Sequence, residues 1–254
     1  MAAIELRYDP DYDVVPGETL RETLLALEMT QVQLATRTGL SLKHVNQIVQ
    51  GAAPLTPDTA LLLEKATGVE ARMWNALETN YRERVLRAES RKALLEEADW
   101  LKELPIAELK KLERLPATHD KATLLEAVCD FFRVADRTSW DEVWRRPLAA
   151  FRQSPSFAAD AGAVATWLRL GEIEADEIDC EPFDPAKFRE ALDEIRELTT
   201  WKDVHAASIR LVELCRQAGV AVVFVPEIGK TRASGAARWL TPTKALIQLS
   251  LRHK

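Results

Sequence analysis

Apolar residues recur at helical spacing through most of this chain before residue 220. Pro16-Gly17-Glu18 opens a helix running to about Glu28, with Leu20, Leu24, Leu25 and Leu27 as its inward stripe. Gln31 to Thr38 predicts a second helix with Leu34 and Ala35 turned inward, and Ala35 is small enough for another helix to cross it closely. Gly39 follows where the chain must turn sharply, a place where a left-handed conformation costs glycine almost nothing. Ser41 then suits the N-cap of a third helix, on which Val45 and Ile48 point back at Leu34 while Leu42, Lys43, His44, Asn46 and Gln47 face outward. Gly51-Ala52-Ala53-Pro54 makes a loop, and Thr56-Pro57-Asp58 starts a fourth helix with Thr56 at the N-cap and Pro57 at the first helical position. Leu61, Leu62 and Leu63 are expected to close a small core before Gly68 ends that helix. A fifth helix spans about Ala71 to Arg91, with Met73, Trp74, Leu77 and Tyr81 on one side.

Beyond it, Lys92 to Ala117 is charged and helical, broken at Pro105 and Pro116, and is expected to be a connector. Helical periodicity returns at Leu124 to Val134, Ser139 to Trp144, Ala161 to Ile178, Asp184 to Leu198 and Trp201 to Ala218. Asp184-Pro185 and Ser139-Trp140-Asp141-Glu142 look like helix starts. Phe131, Phe132, Trp140, Trp144, Phe157 and Trp167 are expected to fill a core rather than to build a ligand cage. The character then changes: Ala221 to Val225 is continuous and β-branched, Gly229 and Gly235 bracket a turn, Ala237 to Leu240 suits a second strand, and Ala245 to Leu251 alternates as a third. The expected fold is mainly α. A five-helix domain at residues 14–91 is followed by a helical connector at 92–120, then by a helical region, 121–254, running into a small, incomplete α+β part.

The net charge of −6, from 34 basic and 40 acidic residues, argues against nucleic acid only until its distribution is considered. Acid gathers in Glu172 to Glu181 and Glu190 to Glu197, whereas Gln31 to Gly51 holds no Asp or Glu and carries Arg37 and Lys43. A carboxylate on a surface facing phosphates would be repelled, so this gap fits a DNA-facing surface. Asn and Gln pair bidentately with adenine, Lys with guanine, and Leu42 can rest on a thymine methyl. An ordinary helical hairpin with a wet polar face is the competing reading, but such a face rarely exposes so many short hydrogen-bonding side chains with no acid. Cys129, Cys180 and Cys215 are odd in number and far apart, which argues for small buried residues rather than a disulfide framework. No apolar run approaches the roughly 20 residues that span a bilayer, and the acidic opening MAAIELRYDPDYD is unlike a signal peptide, so no membrane partner and a cytoplasmic location are expected.

TQVQLATRTGLSLKHVNQIVQG at 30–51 reads as a helix-turn-helix, the unit that places one helix in the DNA major groove. Together with PGETLRETL, LTPDTALLLEKATGV and MWNALETNYRE, it resembles the HigA-type, antitoxin-like branch of the phage-repressor (Cro/C1-type) helix-turn-helix group over residues 14–85. The resemblance implies a lambda-repressor-like domain that dimerises and binds a near-palindromic operator, usually in its own promoter. By position it implies base-edge contacts from Gln31, Leu42, Lys43, Asn46 and Gln47, and backbone contacts from Ser41 and His44. Leu42 stands where related repressors often carry Gln.

CRQAGVAVVFVPEI, GAARWLTPTKALIQLSLRHK and WLRLGEIEADEIDCEPFD resemble the opening of an ImmA/IrrE-type zinc-peptidase domain over residues 155–254. In that family the strand matching Ala245 to Leu251 leads into a helix carrying HExxH, which holds zinc and supplies a general base. That motif is not in this sequence, and His44, His119, His205 and His253 include no HxxxH pair. The expectation is therefore a region cut short before its metal site, with no catalytic residue, metal or cofactor. Its apolar strands are then expected to be exposed, partnered or frayed. Glu172 with Glu174, or Asp176 with Glu177, is more simply a solvated acidic face than a catalytic carboxylate pair. The function expected is a sequence-specific DNA-binding transcriptional regulator of antitoxin type, repressing its own operon as a dimer. The alternative is a protein-interaction module that binds a cognate toxin through the second body, and the third reading is a remnant of a zinc-peptidase regulator.

Overall fold

The chain divides into two units, residues 1–92 and 93–254. The computed structural model describes residues 15–146, 160–229, 231 and 233–251. In the first unit, α1 (Pro16–Ala26) begins on a proline whose missing N–H would have had no intrahelical partner. It is followed by α2 (Gln31–Thr38), α3 (Leu42–Val49), α4 (Pro57–Thr67) and α5 (Ala71–Glu96). Leu20, Leu24, Leu34, Val45, Ile48, Leu63 and Trp74 converge in one core, and the Trp74 indole donates to the Val69 carbonyl at 3.2 Å. Thr56 caps α4 as expected, accepting from the Thr59 N–H at 3.3 Å.

Several expected core leucines are not in that core. Leu25 is 72% exposed and Leu27 45% exposed, because Leu25 lies about 100° around the helix from Leu24 and α1 ends before Leu27. The same angular step separates the leucine triplet of α4, so Ala60 and Leu63 face inward while Leu61 is exposed. On α5, Trp74 is fully buried, whereas Met73 is exposed.

The second unit takes in the last turn of α5 and continues through a 3-10 turn (Ala98–Glu103), α6 (Ile106–Lys111), α7 (Lys121–Phe132) and α8 (Arg137–Trp140), which runs on as a π turn (Asp141–Arg145). Then come α9 (Ala161–Asp176), α10 (Pro185–Leu198), α11 (Val204–Gln217), β1 (Val220–Pro226), β2 (Gly235–Thr241) and β3 (Lys244–Leu251). The stretch expected as a connector supplies Leu94, Trp100, Leu104, Leu109 and Leu115 to this unit's core, so from residue 93 onward it is part of the body. Phe131, Phe132, Trp140, Trp144 and Trp167 are buried there, with Phe132 edge-on to Trp140 and Trp144 at 5.8 and 5.5 Å. Phe157 lies outside the described residues. Helix α8 starts two residues earlier than its Ser139 signal suggests, because Asp136 caps it by accepting from the Ser139 N–H at 2.7 Å.

The sheet has the order β1-β3-β2, with β1 parallel and β2 antiparallel to the central β3. It is not left bare. Ala221, Val223, Val225 and Leu246 pack in the same core as Trp167 and Leu170 of α9, while Val220 and Val222 pack with Leu211, Val212 and Cys215 of α11 and Phe188 of α10. The chain's own helices thus cover both faces at β1, which corrects the expectation of exposed strands. Only β2 keeps an alternating, half-open character, with Trp239 exposed. On the α9 side the buried Gln248 donates from Nε2 to the Trp167 carbonyl at 2.6 Å, and its Oε1 lies where a Cβ on Gly171 would stand only 2.0 Å away. No helix among the described residues is long and apolar enough to cross a membrane.

Two glycines mark close approaches. A Cβ on Gly17 would lie 2.2 Å from the Ile48 carbonyl oxygen and 2.5 Å from that of Val49, so α1 meets the end of α3 backbone to backbone. Ala in a helix normally gains up to about 1 kcal/mol over Gly, but overpacking against backbone costs roughly 1–3 kcal/mol. Gly17→Ala is therefore expected to destabilise the first unit by about 1–2 kcal/mol in urea unfolding followed by circular dichroism; a neutral or stabilising result would contradict the packing. Gly171→Ala meets the amide of the fully buried Gln248 instead, and relieving that overlap means giving up the bond to Trp167, so a cost of about 1–3 kcal/mol to the second unit is expected in the same measurement.

Candidate nucleic-acid interface

Both helices of the motif have eight residues, and their positions are set at their ends. Thr30 and Gln33 form a capping box: the Gln33 N–H donates to Thr30 Oγ1 at 3.2 Å, and the Thr30 N–H donates to Gln33 Oε1 at 2.8 Å. The T-x-x-Q spacing at 30–33 is the local sequence signal for this box. Gly39 takes φ 74° and donates its N–H to the Ala35 carbonyl at 2.9 Å, closing α2. Ser41 caps α3 by accepting from the His44 N–H at 3.1 Å. Val45 and Ile48 are then driven into the core, which leaves the other side of α3 to solvent.

The tertiary structure brings the expected site residues together unevenly. Gln31, Leu42, Lys43, Asn46 and Gln47 line one open cleft at the exposed side of α2 and α3, together with Val32, which the sequence reading did not select. Asn46 Nδ2 donates to Gln31 Oε1 at 3.4 Å, a contact between residues 15 positions apart. Ser41 is exposed and His44 half-buried; neither lines the cleft. Because its oxygen accepts the cap bond, the Ser41 hydroxyl hydrogen remains available to an outside acceptor.

Within the first unit the helix starts differ in charge. Acid stands in the first turns of α1 and α4, at Glu18 and Asp58, but the first turns of α2 and α3 hold none. Their partial positive ends thus have no acidic side chain in the first turn; Lys43 is exposed in the first turn of α3 and Arg37 in the last turn of α2. Such an arrangement favours anions over cations.

Other candidate chemistry is taken up by structure. Glu172 is not a solvated carboxylate: its oxygens bridge Arg169 at 2.7 Å and Arg238 at 2.8 Å, and Arg169 also donates to the Phe131 carbonyl at 2.6 Å. Desolvation lowers the pKa of Arg238, opposed by Glu172. Burial raises that of Glu174, against the opposing pull of Arg114, whereas Asp176 and Glu177 are exposed as expected. Burial pushes the thiols of Cys129 and Cys215 up to about 11 and raises that of Cys180, so these groups are poor nucleophiles near neutrality. Among the described residues no group of three or more His, Cys, Asp or Glu side chains could hold a metal ion, and His253 lies outside them.

The helix-turn-helix family model matches residues 20–74. No curated protein matches the chain. Among solved structures, an addiction module antidote protein of the HigA family from Coxiella burnetii is 31% identical, with 34% of this chain and 94% of that chain covered and a TM-score of 0.31. A Pseudomonas aeruginosa protein in complex with its operator DNA is 28% identical, covering 31% and 85% of the two chains with a TM-score of 0.30. The antitoxin HigA of Pseudomonas aeruginosa with the higBA promoter is 27% identical, covering 33% and 91% with a TM-score of 0.31. Motif, capping geometry and family match agree on one segment: residues 20–74 are a helix-turn-helix domain.

Proposed function

We propose that this protein is a sequence-specific DNA-binding transcriptional regulator of the antitoxin type, which represses its own operon as a dimer. One observation carries the DNA-reading part: the exposed side of α2 and α3 gathers Gln31, Leu42, Lys43, Asn46 and Gln47 at one cleft, within a stretch that holds no acidic residue. Uncompensated helix N-termini and Arg37 would hold phosphates, while the amide and lysine side chains would read base edges. Ser41 and His44, at the start of α3, are assigned to the sugar–phosphate backbone. The antitoxin part rests on the residue pattern of 14–85, and the dimer on the expectation that a near-palindromic operator mirrors a two-fold axis. No catalytic step and no cofactor form part of the proposal, since the sequence contains no HxxxH pair.

A protein-binding role for the second unit is the alternative, favoured by the exposure of Trp201, Val204, Ile209 and Trp239 there. Co-purification with the product of an adjacent small gene would support it, and a partner-free species under the same conditions would count against it.

Titration of the full chain against its own upstream DNA, with scrambled duplex as control and at two salt concentrations, is expected to show specific binding about a thousandfold tighter than the control. Affinity no better than for scrambled DNA would reject the regulator reading. Lys43→Ala combined with Gln47→Ala is expected to weaken operator binding by roughly 2–4 kcal/mol with the fold intact, since neither side chain enters the core. An equal loss on scrambled duplex would show that these side chains contact only the DNA backbone.

A further inference from the structure

Val32 is the unexplained residue of the interface. It is 58% exposed at the second position of α2, contributes nothing to the core, and lines the same cleft as Leu42, itself 48% exposed at the first position of α3. One exposed apolar side chain is ordinary. Here two of them, from different helices, line a single cleft with a pair of hydrogen-bonded amides. Gln31 Oε1 accepts one Nδ2–H of Asn46, which leaves the Nε2 donors of Gln31 and the Oδ1 acceptor of Asn46 open, together with the second Nδ2–H of Asn46 and one lone pair of Gln31 Oε1. Adenine presents the complementary set in the major groove, an N7 acceptor beside an N6 donor. The one apolar group that a base pair places in that groove is the thymine 5-methyl.

We propose that Val32 and Leu42 supply the apolar lining of a methyl slot that reads a thymine 5-methyl group in each operator half-site, with the Gln31–Asn46 pair set beside it to read adenine. Val32 is on this account a specificity-determining residue. The inference rests on the DNA-reading function proposed above. It explains why a valine and a leucine stand at a wet surface at these two positions: each is covered only when DNA is bound. It also assigns the Leu at position 42 a partner, because a leucine cannot make the polar base contact that a glutamine would.

The test replaces thymine by deoxyuridine, which removes the 5-methyl and keeps the pairing, one position at a time across the operator bound by the full chain. At one thymine in each half-site the affinity is expected to fall about fourfold, the equivalent of one buried methyl or methylene group. In Val32→Ala and in Leu42→Ala, whose folds can be checked by circular dichroism, the same substitution is expected to cost less than about twofold, a penalty attributable to the duplex alone. A uracil penalty that persists unchanged in both variants overturns the slot. So does tolerance of uracil at every position of an operator that is still bound far more tightly than scrambled DNA, and that result leaves the regulator reading standing. Failure to bind any upstream duplex specifically overturns both.

Discussion

An eight-residue helix has almost no stability of its own in water, because nucleation costs more than so few hydrogen bonds return. Everything the outward side of α3 does therefore depends on how its inward side is held. Val45 and Ile48 anchor it to Leu34 and Leu20, Ser41 satisfies its first turn, and Gly17 lets α1 pass close against its last carbonyls. The capping box at Thr30 fixes the start of α2 in the same way, and with it the place of Gln31. Local chemistry at the two helix starts and burial on one side thus bring residues from α2 and α3 to one cleft.

The second unit solves a different problem. Its parallel pair, β1 with β3, must be covered on both faces. Helix α9 packs on one side, while α10 and α11 pack on the other. Polar groups on the α9 side bind helix to sheet: Gln248 Nε2 to the Trp167 carbonyl, Arg238 to the Leu168 carbonyl at 2.6 Å and to Glu172, and Lys244 to the carbonyls of Ala175 and Ile178 at 2.7 and 2.6 Å, while Gln248 Oε1 and Arg238 Nε are buried without a partner. The lysine sits at the C-terminal end of α9, where the partial negative charge of the helix favours a cation. Glu172 reads as surface acid in the sequence, yet it is the carboxylate that pairs with the buried Arg169 and the half-buried Arg238.

The helix-turn-helix was legible because each of its signals is local. A glycine at the turn, a serine one residue before an apolar period, and Thr56-Pro57 at a helix start all act within one or two turns of chain, and each appears where expected. Leucine faces were less legible. Leu25, Leu27 and Leu61 are as apolar as Leu24 and Leu63, and only the angular position on the helix, or the point where the helix stops, separates them. The expected connector failed for a related reason: its charges dominate its composition, while Trp100, Leu104, Leu109 and Leu115 enter the core one at a time.

By itself the sequence determined which segments become helices and strands, where the turn of the motif falls, and that the stretch from Gln31 to Gly51 meets its surroundings without acid. Those properties are encoded in caps, periods and composition that a short window contains. Only the tertiary structure decided that Asn46 would bond Gln31, that Val32 would share a cleft with Leu42, and that Glu172 would be enclosed between arginines. Apart from the i,i+3 pair of Arg169 with Glu172, these contacts join residues on different elements, and they exist only once apolar burial has fixed the angle and distance between the elements that carry them.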